Sequence, residues 1–306
     1  MKGRRHQDLV HSAQGLAPLR TAVVHPVDEV SLAGAIQAAR EKLIVPVLVG
    51  PEAKIRGAAA EAKVDLAGYE IVPTEHSHAA AAAAVALVRD LKVEALMKGS
   101  LHTDEFMGAI VREDKLRTAR RMSHVFVIDC PDYPRLLFVT DAAINIYPTL
   151  EDKVDIVQNA IELAHALELN EPRVAILSAV ETVTSKIKST IDAAALCKMA
   201  DRRQITGGIL DGPLAFDNAV SVEAARTKGI VSPVAGRADI FVVPDLEAGN
   251  MLAKQLEYLA EAEIAGIVLG ARVPVILTSR ADKAVARLSS CALALLLARH
   301  DARAMP

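Results

Sequence analysis

This sequence predicts an α/β fold built from two doubly wound, largely parallel domains, and three observations carry that prediction. Short β-branched apolar runs recur at steady intervals, segments of helical period separate most of them, and most of the runs are continuously apolar rather than alternating. A strand covered on both faces needs no polar alternation, and strand–helix alternation is the pattern of a parallel sheet. At 306 residues the chain also exceeds the usual size of a single domain.

Taken in order, strands are expected at 21–24, 45–49, 70–72 and 94–97, with helical segments over 30–42 and 79–91. Two runs, 125–128 and 136–139, then follow closely, joined only by Cys130-Pro-Asp-Tyr-Pro134. So short and Pro-rich a turn joins antiparallel neighbours and breaks the βαβ rhythm. Further strands are expected at 174–177, 208–210, 240–243, 267–269 and 275–277, with helices over 150–167, 192–200 and 247–262 and a last helix over 283–299. The hairpin and the Gly270–Pro274 region are the two crossings. They imply a discontinuous first domain, 1–120 plus 270–306, with a second domain, 121–269, inserted in it.

Composition narrows the function. Hydrophobic residues make up 52% and charged residues 24%, as in an ordinary well-packed enzyme. Lys and Arg number 35 against 38 Asp and Glu, a formal charge of -3; with no Trp, four Tyr and five Phe, neither charge nor stacking surface suits nucleic acid. The longest apolar run, 79–88, is Ala-rich and too short to span a bilayer, and no signal-like core follows the basic N-terminus, so a cytoplasmic, membrane-free protein is expected. Three scattered cysteines, Cys130, Cys197 and Cys291, lack metal spacing and fit a reducing compartment. There is no GxxxxGK[ST], GxGxxG, HExxH or GxSxG signature.

Five segments place polar groups beside apolar runs. In the last, 274–277 ends in Ser279-Arg280-Ala-Asp282 before a helix: a hydroxyl, a guanidinium fork suited to phosphate, and a carboxylate that can accept a proton. Lys98-Gly99-Ser100-Leu-His102-Thr103-Asp104 offers a glycine for close backbone approach and donors near a helix start, where the alternative is simple capping by Thr103 or Asp104. Thr140-Asp141 ends a strand, as a turn or as a charge facing a basic group. Asp211-Gly-Pro213 with Asp217 reads as turn chemistry, or as two acids for a cation. Ser232-Pro233-Val-Ala-Gly236-Arg237 forms a rigid loop whose N–H groups and arginine can surround an anion. Across the strand at 240–243 lies Pro244-Asp-Leu-Glu-Ala-Gly-Asn250, and small residues on both sides leave space for a ligand.

Together with Met97-Lys-Gly99, Ser123-His124-Val and Leu137-Phe-Val-Thr-Asp141-Ala-Ala, these segments resemble the phosphate acyltransferases, the phosphate acetyl- and butyryltransferase family. The likeness runs from about residue 20 to the C-terminus, and Leu137–Asn145 and Thr190–Leu196 look closer to the butyryl branch. The resemblance implies an isocitrate/isopropylmalate dehydrogenase-like pair of domains with a cleft between them, a homodimer, and reversible transfer of a short acyl group between CoA and phosphate. CoA enters as a substrate, with no tightly bound cofactor and no metal. It implies Ser279 and Arg280 as catalytic. The acetyl branch has an aspartate seven residues after the serine; Ala286 stands there, so Asp282 is the nearest acceptor, with Lys283 and His102 as alternatives. Substrate contacts fall on Lys98, Gly99, Ser100, His102, Thr103, Asp141, Ser232, Pro233, Gly236, Arg237 and Asn250. Where the acetyl branch carries an arginine, this chain has Met107 and Gly108, leaving Arg112, Arg117, Arg121 or Arg237 for phosphate. Two other readings stay open: a metal-dependent hydroxyacid dehydrogenase on the same architecture, and a CoA-binding protein without turnover.

Overall fold

The computed structural model describes residues 4–278 and 284–304. The elements run α1 Arg4–Gln14, β1 Leu19–Val24, α2 Glu29–Arg40, β2 Ile44–Gly50, α3 Glu52–Ala62, β3 Glu70–Pro73, α4 Ser77–Arg89, β4 Ala95–Lys98 and α5 Thr103–Arg112. They continue with β5 Ser123–Asp129, β6 Leu137–Thr140, α6 Leu150–Ala166, β7 Arg173–Leu177, α7 Lys188–Asp201, β8 Ile209–Leu214, α8 Phe216–Val220 and α9 Val222–Thr227. The last are β9 Ile240–Val242, α10 Leu246–Leu259, β10 Glu263–Leu269, β11 Val275–Ile276 and α11 Ala284–Ala304. The chain divides into two compact units, one holding 4–120 and 265–304, the other 121–264. The return falls at 264–265 rather than at Gly270, because β10 pairs with β11 (Ile267 opposite Ile276).

In the discontinuous unit the strand order is β3-β2-β1-β4-β11-β10, parallel except for the β10–β11 pair. β1, β2 and β4 are buried along almost their whole length, which is why their sequences are unbroken apolar runs. Leu32 and Ile36 of α2 are buried with Leu19, Leu48 and Leu96 of these strands. Helix starts are set by side chains: Asp28 accepts from the Ser31 N–H at 2.8 Å ahead of α2, and His76 from the Ala79 N–H at 3.1 Å ahead of α4.

In the inserted unit the order is β5-β6-β9-β7-β8. β5 and β6 form the antiparallel hairpin that the Cys130–Pro134 turn predicts, and β6, β9, β7 and β8 are parallel. Ile128, Val139, Leu177, Phe241 and Val243 form its core. Thr149 and Asp152 make a capping box at α6, and Asp245 caps α10 through the Ala248 N–H at 2.9 Å. β8 differs from expectation: the strand runs through Asp211-Gly212-Pro213, which reads as a turn. β8 is the edge strand, so the proline's missing N–H costs no ladder bond, and a Cβ on Gly212 would lie 2.7 Å from the Ile176 carbonyl oxygen. Among the described residues no helix is long and apolar enough to cross a membrane, and no group of three His, Cys, Asp or Glu could hold a metal ion.

Candidate functional site

In the discontinuous unit, polar groups gather where β1, β4 and β11 end. Val24 and Lys98 are register partners, so both strands stop at the same level. Beyond them the two connections grip each other: the Gly99 N–H donates to Val24 O and the Ser100 N–H to His25 O, each at 2.9 Å. A Cβ on Gly99 would lie 2.4 Å from Val24 O, so the close approach foreseen for this glycine is made to the neighbouring strand. Lys98 is buried at the strand end, while His102 and Thr103 are exposed at the start of α5. Neither capping prediction is realised there: His102 occupies the cap position and makes no side-chain capping bond. The first turn of α5, beside Ser100, has no side-chain cap but carries the acidic Asp104 and Glu105, which offset the partial positive charge of the helix start.

Two further residues of this cluster escaped the sequence reading. Asp28, half-buried after β1, takes a hydrogen bond from the Ser100 hydroxyl as well as from Ser31. Burial pushes its carboxyl pKa up; the bonds from Ser100 and Ser31 and the charge of Arg287 outweigh that, holding it below the usual carboxylate value. Arg287, buried in the first turn of α11, donates to the Thr278 hydroxyl at 3.5 Å, and its stem crosses α2 where a Gly34 Cβ would sit 2.6 Å from Cδ. The visible signals are a glycine inside a helix and an arginine inside an apolar one. Asp28, Ser100, Arg287 and Thr278 thus link three strand ends, directly before Ser279 in the chain. Ser279, Arg280 and Asp282 themselves, and Lys283, lie outside the described residues. Ala286 is buried in the first turn of α11.

In the inserted unit Asp141 ends β6 with its carboxylate turned inward. Oδ1 accepts from the N–H groups of Ala143 and Ile144 at 2.9 and 3.0 Å. Oδ2 accepts from Asn145 Nδ2 at 2.6 Å and from the N–H groups of His124 and Asn145 at 3.2 and 3.3 Å. Burial raises the pKa of this carboxyl, and these donors pull it back only in part. Asn145 also accepts from Arg121 Nε at 2.8 Å, and Arg121 lies 3.4 Å from Asp152. Of the four arginines weighed for phosphate, Arg121 and Arg117 therefore have carboxylate neighbours; Arg112 and Arg237 have no carboxylate partner among the described residues.

The Ser232–Arg237 loop uses most of its own donors. Ser232 Oγ accepts from the Val234 and Ala235 N–H groups, each at 3.0 Å, and the Gly236 N–H donates to Asn218 O at 2.7 Å. Pro233 and Arg237 are exposed. Gly236 has φ +74 and would place a Cβ 2.5 Å from the Val222 backbone. A Gly236→Ala change is accordingly expected to lower the unfolding free energy by about 2 kcal/mol or more, read from urea midpoints. An unchanged midpoint would show that the close contact relaxes freely. Across β9, Asn250 Nδ2 donates to Ala142 O at 3.1 Å, and a Gly249 Cβ would lie 2.9 Å from the Ala142 Cβ, so α10 rests on the loop that Asp141 organises. The Thr190–Leu196 stretch is structural in the same way: Asp192 holds Lys153 at 2.8 Å and Lys188 at 2.6 Å.

Polar groups thus gather at the strand end before Ser279 in one unit, and a rigid motif packs around Ala142 in the other; similarity to known proteins identifies the family. The phosphate acetyl/butaryl transferase family profile matches residues 74–295. The chain is 64% identical to a phosphate acetyltransferase from Rhizobium meliloti, over 96% of this chain and 93% of that protein. It is 40% identical to a phosphate butyryltransferase from Clostridium beijerinckii, over 97% and 99%. A branched-chain phosphotransacylase from Enterococcus faecalis V583 superposes with a TM-score of 0.80 at 28% identity, covering 92% of this chain and 99% of that one. A match of such length to both branches leaves one conclusion: the chain belongs to the phosphate acetyl/butyryltransferase family, enzymes that pass an acyl group between CoA and phosphate.

Proposed function

We propose that this acyl-CoA:phosphate acyltransferase works on acetyl-CoA in preference to longer thioesters, forming acetyl phosphate and CoA reversibly. The observation that carries this reading is the 64% identity to a phosphate acetyltransferase over nearly the whole chain, against 40% to a butyryltransferase. The butyryl-like look of Leu137–Asn145 has a different explanation, since those residues serve the Asp141 turn. The substrates are small molecules; the working form is a cytoplasmic homodimer without a tightly bound cofactor.

In the forward direction a phosphate oxygen attacks the thioester carbonyl, the C–S bond breaks, and its electron pair leaves on sulfur, which takes up a proton. Two polyanions must be held in line, so positioning and charge supply much of the rate. We assign phosphate and the developing oxyanion to Arg280, the sulfur to Ser279, and the proton to Asp282. Lys98, Gly99, Ser100, His102 and Thr103 frame the anion from the neighbouring strand end. Asp28 and Arg287 act as positioning residues through Ser100 and Thr278. Asp141, Ser232, Pro233, Gly236, Arg237 and Asn250 shape the second substrate surface, Arg237 being the one with a side-chain charge to spare.

Thiol release from acetyl-, propionyl-, butyryl- and acetoacetyl-CoA, with and without phosphate, tests the reading. Phosphate-dependent release is expected with all the short thioesters, with kcat/KM for acetyl-CoA about tenfold or more above that for butyryl-CoA. A butyryl-CoA optimum would overturn the acetyl preference, and release that ignores phosphate would overturn the mechanism.

A further inference from the structure

We infer that an apolar pocket at the carboxyl ends of β7 and β9 holds the pantetheine arm of the acyl-CoA substrate. This deepens the acyl-CoA reading above and rests on it. The pocket measures about 520 Å³, within the range of small-molecule sites. Leu177, Phe216, Val243 and Leu252 form its walls, Ser178 and Gln255 are its polar groups, and none of its lining residues is charged. Parallel sheets bind ligands at this end of their strands.

The chemistry of the lining selects the part of the substrate. A phosphate or the nucleotide end of CoA would be desolvated here without a counter-charge. The acyl group alone is a few atoms and leaves most of the volume empty. An extended, neutral chain with two spaced amides fits both size and polarity. Ser178 shares a 2.9 Å hydrogen bond with Ser189, and this hydroxyl pair retains lone pairs for an amide N–H. Gln255, exposed on α10, offers both a donor and an acceptor. Phe216 remains 41% exposed although its ring is fixed edge-on against Phe241, with centroids 5.7 Å apart, so the wall is held in place and wet. Charge is kept apart: a separate recess of about 590 Å³, touching the same Pro244, carries Lys153, Lys188, Asp192 and Asp245.

Two variants test the assignment by calorimetric titration of the full chain with CoA and with free pantetheine. Ala248→Trp fills the pocket from α10, and Gln255→Ala removes one amide partner at an exposed position. Ala248→Trp is expected to raise both Kd values by the same factor, about tenfold or more, with melting temperature and the KM for phosphate unchanged. Gln255→Ala is expected to raise both about three- to tenfold, and it carries the test alone if Ala248→Trp fails to fold. Kd values within twofold of wild type in the folded variants overturn the assignment, as does a loss for CoA that pantetheine does not share. Phosphate-dependent thiol release by the wild type is scored separately. Its absence would fail the substrate reading, whereas unchanged Kd values fail only the pocket.

Discussion

Asp141→Ala is expected to cost about 3 kcal/mol or more of stability. The carboxylate is 3% exposed and receives five hydrogen bonds, four of them from backbone N–H groups of His124, Ala143, Ile144 and Asn145. Truncation leaves those donors facing a small cavity, and a buried donor without a partner costs about 1–3 kcal/mol. Relaxation and water entry recover part of the total, which is why the expectation is well below the sum. Asp141→Asn is the informative control. Its amide oxygen can face the three donors at one carboxylate position, but its NH2 then opposes the two at the other, so about 2 kcal/mol is expected to be lost. Urea denaturation of both variants measures this. Equal stability to wild type would mean that the turn is held by its backbone alone. Because Ala142 O is the acceptor for Asn250 and the Ala142 side chain meets α10, the damage should also reach α10 and raise the KM for acyl-CoA.

That network explains why the strands of this protein were legible in its sequence and parts of its site were not. Runs such as Val45–Val49 and Val174–Leu177 declare themselves because both faces are buried, leaving no polar position to obscure them. α1 and α3 gave no comparable signal. In α3 the buried positions are mostly small alanines among charged residues, and in α1 they are one histidine, one leucine and one alanine, a pattern with few large apolar residues. β8 was misread for the opposite reason: its turn-forming residues are tolerated at an edge, a property of topology and not of the segment. Among the candidate site residues, Lys98–Thr103 stand out in the sequence because they follow an apolar run. Asp28 and Arg287 do not, since one resembles any helix cap and the other any core-helix irregularity; only the register of β1 with β4 and the Gly34 gap bring them together. Asp141 was visible as a residue but not in its role, because the donors around it come from the turn that follows it and, through His124, from the neighbouring strand β5.

Arg280→Ala is expected to lower kcat/KM by a factor of about 10² to 10³ in either direction, the largest effect on activity. Arg280 is the residue assigned to the charge that grows as phosphate meets the thioester carbonyl, and removing one such preorganised donor typically costs about 3–4 kcal/mol of transition-state stabilisation. The loss should appear mainly in kcat, with a smaller rise in the KM for phosphate, because the contact strengthens as the oxyanion forms. Arg280→Lys discriminates between charge and geometry. An ammonium keeps the charge but cannot make two parallel bonds to a tetrahedral anion, so activity between alanine and wild type supports the fork. Melting temperature separates chemistry from folding: a variant that melts like wild type and still loses 10² has lost catalysis alone. Near-normal kcat/KM in Arg280→Ala would remove this residue from the mechanism. The neighbouring arginine would then be next in line, since Arg287 is already held against Thr278 and biased toward Asp28 at the same strand ends.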